Sequence, residues 1–108
     1  MEEQEINRAL AAIAHTVRLR LFRLLVVGGK TGLTPGAIAE VLDLPATTLS
    51  FHLKELANGG LVTQERQGRH LIYHASFEKM NGLIAYLTAN CCQGVACTTD
   101  DLAASCNC

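Results

Sequence analysis

Two short helical segments separated by only a few residues constrain the fold of this chain more than any other feature. The first, "TPGAIAEVLDL", has Thr34 at a predicted N-cap and Pro35 at the first helical position, where the missing N–H of proline is harmless. The second, "LPATTLSFHLKELANGG", repeats this device at Pro45 and stops at two glycines. Two helices joined by a tight turn are typical of a helix-turn-helix unit.

The next segment, "LVTQERQGRHLIYHAS", predicts a β-hairpin. Apolar residues at both ends flank a polar centre, and we predict the turn at Gln67-Gly68. Arg66 and Arg69 lie at the tip. A helix-turn-helix followed by a basic hairpin predicts a winged helix-turn-helix, in which the second helix enters the major groove of DNA and the hairpin lies beside it.

Helical segments on both sides complete a fold that is mainly α with a β-hairpin wing. "EINRALAAIA" places Ile6, Leu10 and Ile13 on one apolar seam, "TVRLRLFRLLVV" follows it, and "FEKMNGLIAYLTAN" has a similar period near the end of the chain. We expect one domain over residues 1–90 and a separate tail over residues 91–108. The first and last helices are expected to mediate a homodimer, and the alternative is that one core buries both seams.

Composition narrows the function further. With 108 residues, 49% of them hydrophobic, the chain suits a single core. It contains no run of about 20 apolar residues, and its acidic start, "MEEQEINRAL", is unlike a secretory signal, so we expect a cytoplasmic protein with no membrane partner. The net charge is −1, and only residues 44–76 have a positive balance. DNA binding would therefore require two subunits.

The second helix of the pair supplies the predicted reading face. Its apolar stripe, Leu49, Leu53 and Leu56, must face the core, which leaves hydroxyl, aromatic and lysine side chains outside. Such groups contact base edges, thymine methyls and phosphates. A merely solvated face and solubilising arginines are the simpler alternatives, and His52 also suits packing inside the domain. The predicted DNA-binding residues are Thr47, Thr48, Ser50, Phe51, His52, Lys54, Arg66 and Arg69.

All five cysteines lie in the last eighteen residues. An odd, clustered set is unlike a secreted disulfide scaffold, and thiolates are good ligands for soft metals and good nucleophiles. A metal site or a redox device is therefore expected, against the alternative of free thiols in a tail. The positions are Cys91, Cys92, Cys97, Cys106 and Cys108.

The chain resembles the ArsR/SmtB family of winged-helix metalloregulatory repressors over nearly its whole length. The segments that carry the resemblance are "LAAIAHTVRLRLFRLL" at 10–25, "LTPGAIAEVLDLPATTLSFHLKELANGGLV" at 33–62 and "RQGRHLIYHAS" at 66–76. The resemblance implies a homodimer that occupies operator DNA until a metal or metalloid binds and then releases it.

The family's inducer sites differ in position. Its arsenite site uses cysteines on the first helix of the helix-turn-helix, which "PGAIAEVLD" lacks, and its zinc site on the last helix uses a histidine, which "FEKMNGLIAYLTAN" lacks. Cys91, Cys92 and Cys97 resemble the thiol site of arsenic sensors that place it after the last helix. Cys106 and Cys108 are expected to be extra ligands or spare.

Three close thiolates favour a trivalent metalloid over zinc, which normally takes four ligands in a tetrahedron. We expect an arsenite- or antimonite-responsive repressor with As(III) or Sb(III) as inducer and no catalytic cofactor. A thiol redox switch and a repressor responsive to cadmium, zinc or lead on the same fold remain alternatives. No nucleophile is paired with an obvious base and no phosphate loop is present, so we do not expect an enzyme.

Overall fold

A computed structural model describes residues 2–89 of the chain. It confirms the predicted winged helix-turn-helix, with mainly helical structure and one two-stranded antiparallel sheet. A single 3-10 turn, Gly29–Thr31, follows the second helix. The elements in chain order are α1 (Glu3–Ile13), α2 (Thr16–Gly28), α3 (Pro35–Leu42), α4 (Ala46–Asn58), β1 (Val62–Gln67), β2 (His70–Ala75) and α5 (Phe77–Thr88).

The two helices of the helix-turn-helix begin differently. At α3, the Thr34 side chain accepts a hydrogen bond from the Ala37 N–H and Pro35 is the first helical residue, as predicted. At α4, Pro45 is itself the N-cap, because its backbone is still extended at ψ 149°. The prediction of Pro45 inside the helix is therefore wrong by one residue.

The core lies where α2, α3 and α4 meet the start of the wing. The predicted stripe of α4, Leu49, Leu53 and Leu56, is buried. Full burial of such a side chain contributes about 1.5–3 kcal/mol relative to exposure, so these leucines fix which side of α4 faces outward. The largest fully buried side chains are Leu21, Leu25, Ile38, Leu49, Leu56 and Leu61.

Helix α1 follows the predicted seam only in part. Ile6 is buried as predicted, but Ala9 and Ala12 are buried as well, whereas Leu10 is 37% exposed. The cause is a close approach to the end of α4, where a Cβ on Gly59 would lie only 2.6 Å from the Cβ of Ala12 and 3.3 Å from the carbonyl oxygen of Arg8. Small side chains permit this approach, and Leu10 turns toward solvent.

The wing is a hairpin in which Gln67 pairs with His70, so the turn is Gly68-Arg69 and not Gln67-Gly68. Gly68 has φ of +63°, a conformation that glycine adopts without strain. On the other edge of β2, Tyr73 exchanges two backbone hydrogen bonds with Leu33, at 2.8 and 3.0 Å. Strand β2 is thus held on both sides, and the base of the wing is tied to the segment before α3.

Helix α5 begins at a second capped position, where Ser76 accepts a hydrogen bond from the Lys79 N–H. The ammonium of Lys79 lies 3.0 Å from a carboxylate oxygen of Glu5, which joins α5 to α1. Within residues 2–89, no helix is both long and apolar enough to cross a membrane. The predicted tail, residues 91–108, lies outside the described residues.

Candidate nucleic-acid interface

The outward side of α4 carries the predicted reading residues. Phe51 is 54% exposed, although an aromatic ring of this size would ordinarily be buried for stability. Because the leucine stripe occupies the core side, this face is available to a partner along its whole length. The predicted residues found exposed on it are Thr47, Thr48, Ser50, Phe51 and Lys54.

His52, also among the predicted DNA-binding residues, lies on the core side of α4 and not on this face. The side chain is only 6% exposed and accepts a hydrogen bond at Nδ1 from Nε of Arg18, at 3.2 Å. Its position follows from helical geometry, since residue 52 lies three positions after Leu49 on the core side. His52 is a buried polar residue that links α4 to α2.

The wing carries the two predicted arginines. Arg66 and Arg69 are exposed, as predicted, with Arg69 in the turn. Successive side chains of a strand alternate between faces, so Arg66 shares the face of Gln64 and Val62. Since Val62 is buried and Gln64 lies against α4, this is the face of the hairpin that looks toward the helix.

A cleft of about 320 Å³ separates α4 from the wing. Gln64 and Tyr73, which are cross-strand partners, form its wing side. A groove lined by two amides, two hydroxyls and an ammonium suits the phosphates and sugars of a nucleic-acid backbone. The sequence analysis did not single out Gln64, Tyr73 or Asn58. Because side chains alternate between the two faces of a strand, the hairpin pattern could have placed Gln64 and Tyr73 on the face toward α4. The lining residues are Ser50, Leu53, Lys54, Ala57, Asn58, Gln64 and Tyr73.

A cluster of aromatic and cationic side chains lies beneath Phe51. The guanidinium carbon of Arg18 is 5.7 Å from the centre of the Phe51 ring, and the His52 ring meets Phe51 edge-on at 5.5 Å. The ring of His15 lies 4.9 Å from that of His52. His15 also caps α2 by accepting a hydrogen bond from the Val17 N–H. Sequence reasoning missed this cluster, which joins residues 34 positions apart in the chain.

Burial lowers the pKa of His52 below its ordinary value, and the neighbouring His15 and Arg18 act in the same direction. Glu55 opposes them. The neutral form suits the geometry, because Nδ1 must keep its lone pair to accept from Arg18. The imidazole proton is therefore placed on Nε2.

The terminal helices present apolar side chains to solvent. On α5, Ile84 and Leu87 are 46% and 57% exposed, and Tyr86 lies beside them. Leu10 on α1 is exposed as well. Among residues 2–89, no group of three histidine, cysteine or acidic side chains is close enough to hold a metal ion. The predicted ligands Cys91, Cys92, Cys97, Cys106 and Cys108 lie outside this range.

Comparison with known proteins agrees with this geometry. A helix-turn-helix domain model matches residues 13–65. Over 78 residues the chain is 30% identical to the HTH-type transcriptional regulator YgaV of Escherichia coli, covering 72% of this chain and 77% of that one. Over 82 residues it is 32% identical to the arsenical resistance operon repressor of Bacillus subtilis, covering 76% of each chain. The chain belongs to the ArsR family of transcriptional regulators.

A solved structure of similar shape supports the fold of this ArsR-family protein. The homodimeric winged helix-turn-helix DNA-binding domain from Mycobacterium bovis superposes with a TM-score of 0.65 at 24% identity, covering 89% of each chain. At this identity the likeness concerns the fold. The helix-turn-helix match spans α2, α3 and α4 and ends within β1, so it includes the whole exposed face of α4.

Proposed function

We propose that this ArsR-family protein is a transcriptional repressor that binds operator DNA as a homodimer and releases it when As(III) or Sb(III) binds its C-terminal cysteines. The observation that carries the DNA-binding part is the exposed face of α4, which includes Phe51 and Lys54. The wing adds two exposed arginines. In a winged helix-turn-helix this face enters the major groove.

The roles of the side chains follow from their chemistry. Thr47 and Ser50 donate to or accept from base edges and phosphates, and Phe51 packs on thymine methyls. Lys54 contacts the phosphate backbone, as do Arg66 and Arg69 on the wing. Removing one phosphate contact should weaken binding to all sequences alike and reduce the slope of log K against log salt by about 1 per contact.

Operator affinity of Lys54→Met measured over a salt series tests this assignment. Lys30→Met is the matched control, because Lys30 is also exposed but lies in the turn before α3. We expect a weaker, flatter salt dependence for Lys54→Met and little change for Lys30→Met. Equal behaviour of the two variants would exclude Lys54 from the interface.

The homodimer is proposed to form through α1 and α5. The exposed Ile84 and Leu87 offer apolar area, and the Glu5–Lys79 ion pair links α5 to α1. Dimerisation also supplies the second reading helix that a chain of net charge −1 needs for operator binding. Two such helices would occupy half-sites about 34 Å apart.

Analytical ultracentrifugation of Leu87→Glu tests this interface. Val27→Glu is the control, since Val27 is 74% exposed and lies on α2. We expect the buried charge to convert Leu87→Glu to a monomer and to leave Val27→Glu dimeric. A dimeric Leu87→Glu variant, or a monomeric Val27→Glu variant, places the interface elsewhere.

The inducer is proposed from the thiols. Cys91 and Cys92 follow Thr88, the last residue of α5, after two residues, and Gly94 permits the chain to bring Cys97 back toward them. Three thiolates match the pyramidal coordination of As(III) and Sb(III). The 32% identity to an arsenical resistance operon repressor supports an inducer of the same kind.

Fluorescence anisotropy of an operator fragment under reducing conditions tests the inducer, with arsenite, antimonite, zinc and cadmium titrated in turn. We expect arsenite or antimonite to lower the affinity roughly 5- to 150-fold, which is the usual range of allosteric coupling. Serine at Cys91, Cys92 or Cys97 should preserve operator binding and abolish release.

The double variant Cys106→Ser/Cys108→Ser is the matched control, and it should still respond. Release by zinc or cadmium in place of arsenite identifies a different metal sensor on the same fold. Release by peroxide without any metalloid identifies a thiol redox switch. A Cys91→Ser variant that still responds to arsenite rules out the proposed ligand set.

A further inference from the structure

Arg18 connects three helices through one guanidinium. Its Nη1 donates to the carbonyl oxygen of Ala12 at 3.4 Å, close to the end of α1, and its Nε donates to Nδ1 of His52 at 3.2 Å, on the core side of α4. Its guanidinium carbon lies 5.7 Å from the centre of the Phe51 ring. The same cation therefore contacts α1, the buried side of α4 and the exposed aromatic ring of the reading face.

A second neighbour also restricts the orientation of the Phe51 ring. His52 meets it edge-on, at 5.5 Å and an interplanar angle of 67°. A phenylalanine on an open helix surface exchanges between rotamers, because no neighbour distinguishes them. Here a cation and a ring edge both favour the observed rotamer, and the His15 ring lies 4.9 Å from the His52 ring.

Arginine is the side chain suited to this position. Its planar fork donates in two directions while its face attracts an aromatic ring, and lysine cannot do both at once. Arg20, two residues later, extends from the opposite side of α2 and is exposed. Arg20 therefore carries the same charge as Arg18 but lies on the other side of the helix.

We propose that Arg18 is a positioning residue for DNA recognition, which holds the Phe51 ring in the orientation that meets the bases. This role rests on the proposed operator binding by α4, and it adds to the interface a residue that lies behind the reading helix. Arg18 then acts through Phe51, and its charge is not what the DNA senses.

A double-mutant cycle on operator affinity tests the role, using Arg18→Met, Phe51→Ala and the combined variant at one salt concentration. In the wild-type background we expect Arg18→Met to weaken binding roughly 3- to 10-fold, the size of one lost cation–π contact on Phe51. In the Phe51→Ala background it should change affinity less than about 2-fold. Equal losses in both backgrounds overturn the positioning role.

Two further variants separate geometry from charge. Arg18→Lys keeps the charge and loses the fork, so it should bind as weakly as Arg18→Met; full recovery of affinity by lysine overturns the proposal. Arg20→Met removes the same charge from the other side of α2, and its effect should be identical with and without Phe51. Circular dichroism checks that each variant is folded. If Arg18→Met unfolds, Arg18→Lys replaces it in the double-mutant cycle with Phe51→Ala.

The outcomes also separate this role from the function on which it rests. Absence of specific operator binding by the wild-type dimer overturns the DNA-binding proposal and the role of Arg18 together. Specific binding by the wild type with additive losses overturns the role of Arg18 alone. Specific binding with the non-additive pattern, unrescued by lysine, supports both.

Discussion

Replacing Gly59 by alanine tests the close contact between α1 and the end of α4. The backbone of Gly59 is in the right-handed helical region, at φ −78° and ψ −5°, so alanine adopts it without strain. The new Cβ, however, would lie 2.6 Å from the Cβ of Ala12, about 0.8 Å short of the 3.4 Å at which ordinary van der Waals contact begins. The carbonyl oxygen of Arg8, at 3.3 Å, blocks a small sideways shift.

The overlap is therefore relieved only by moving α1 as a body. Overpacking of this kind costs about 1–3 kcal/mol, whereas reduced freedom of the unfolded chain offsets about 0.4–1 kcal/mol. The steric overlap outweighs the entropic gain. The free energy of unfolding should therefore fall by roughly 1–2 kcal/mol, and Tm by roughly 5–15 °C for a domain of this size.

Thermal unfolding followed by circular dichroism, at equal protein concentration, measures the change. Gly36→Ala is the matched control, because a Cβ at Gly36 on α3 would meet nothing within 4 Å. Its Tm should equal or exceed that of the wild type. A Gly59→Ala protein as stable as Gly36→Ala would refute the close packing of α1 on α4.

Three further results are expected. Leu56→Ala should lower the free energy of unfolding in urea by about 2–5 kcal/mol, because Leu56 is fully buried, whereas Val41→Ala at an exposed site should change it by less than about 0.5 kcal/mol. Thr34→Ala should cost about 1 kcal/mol through the lost cap, and Thr34→Ser should retain most of it. The lowered pKa of His52 means that the unfolded chain binds its proton first as pH falls, so stability should be intact above about pH 6.5 and decline below it. His52→Gln should lose that part of the pH dependence, and an unchanged profile would contradict the burial of His52.

Features set by local chemistry could be predicted from the sequence. The cap at Thr34 and the stripe through Leu49, Leu53 and Leu56 depend on successive spacings of three or four residues, and both are confirmed. The wing was predicted from its apolar ends and its glycine, but its turn is one residue later. Pairing of Gln67 with His70 decides that register, and strand pairing is a contact between segments.

Features set by contacts between distant segments could not be predicted. The sequence pattern places His52 on the reading face. In the structure, Arg18, 34 residues earlier, donates a hydrogen bond to it on the core side. The sequence pattern places Leu10 on the apolar seam of α1. In the structure, Ala12 packs closely against Gly59, which has no side chain, and Leu10 is exposed. In both cases the spacing of apolar residues predicts the helix correctly but gives no information about the segment that packs against it. The predicted ligands Cys91, Cys92 and Cys97 stay predictions, because they lie beyond the described residues.

The pairing of the wing also affects how this protein behaves at high concentration. Within residues 2–89, β1 is paired with β2 alone, so its other edge exposes backbone donors and acceptors to any passing strand. Such edges are templates for aggregation unless charges blunt them. Strand β1 reads VTQERQ, and every residue after Val62 is exposed, with Glu65 and Arg66 projecting from opposite faces. The polar side chains of the wing, some of which are proposed to contact DNA, therefore also protect it from edge-to-edge association with other copies. Apolar substitutions there would promote aggregation before they destabilised the fold.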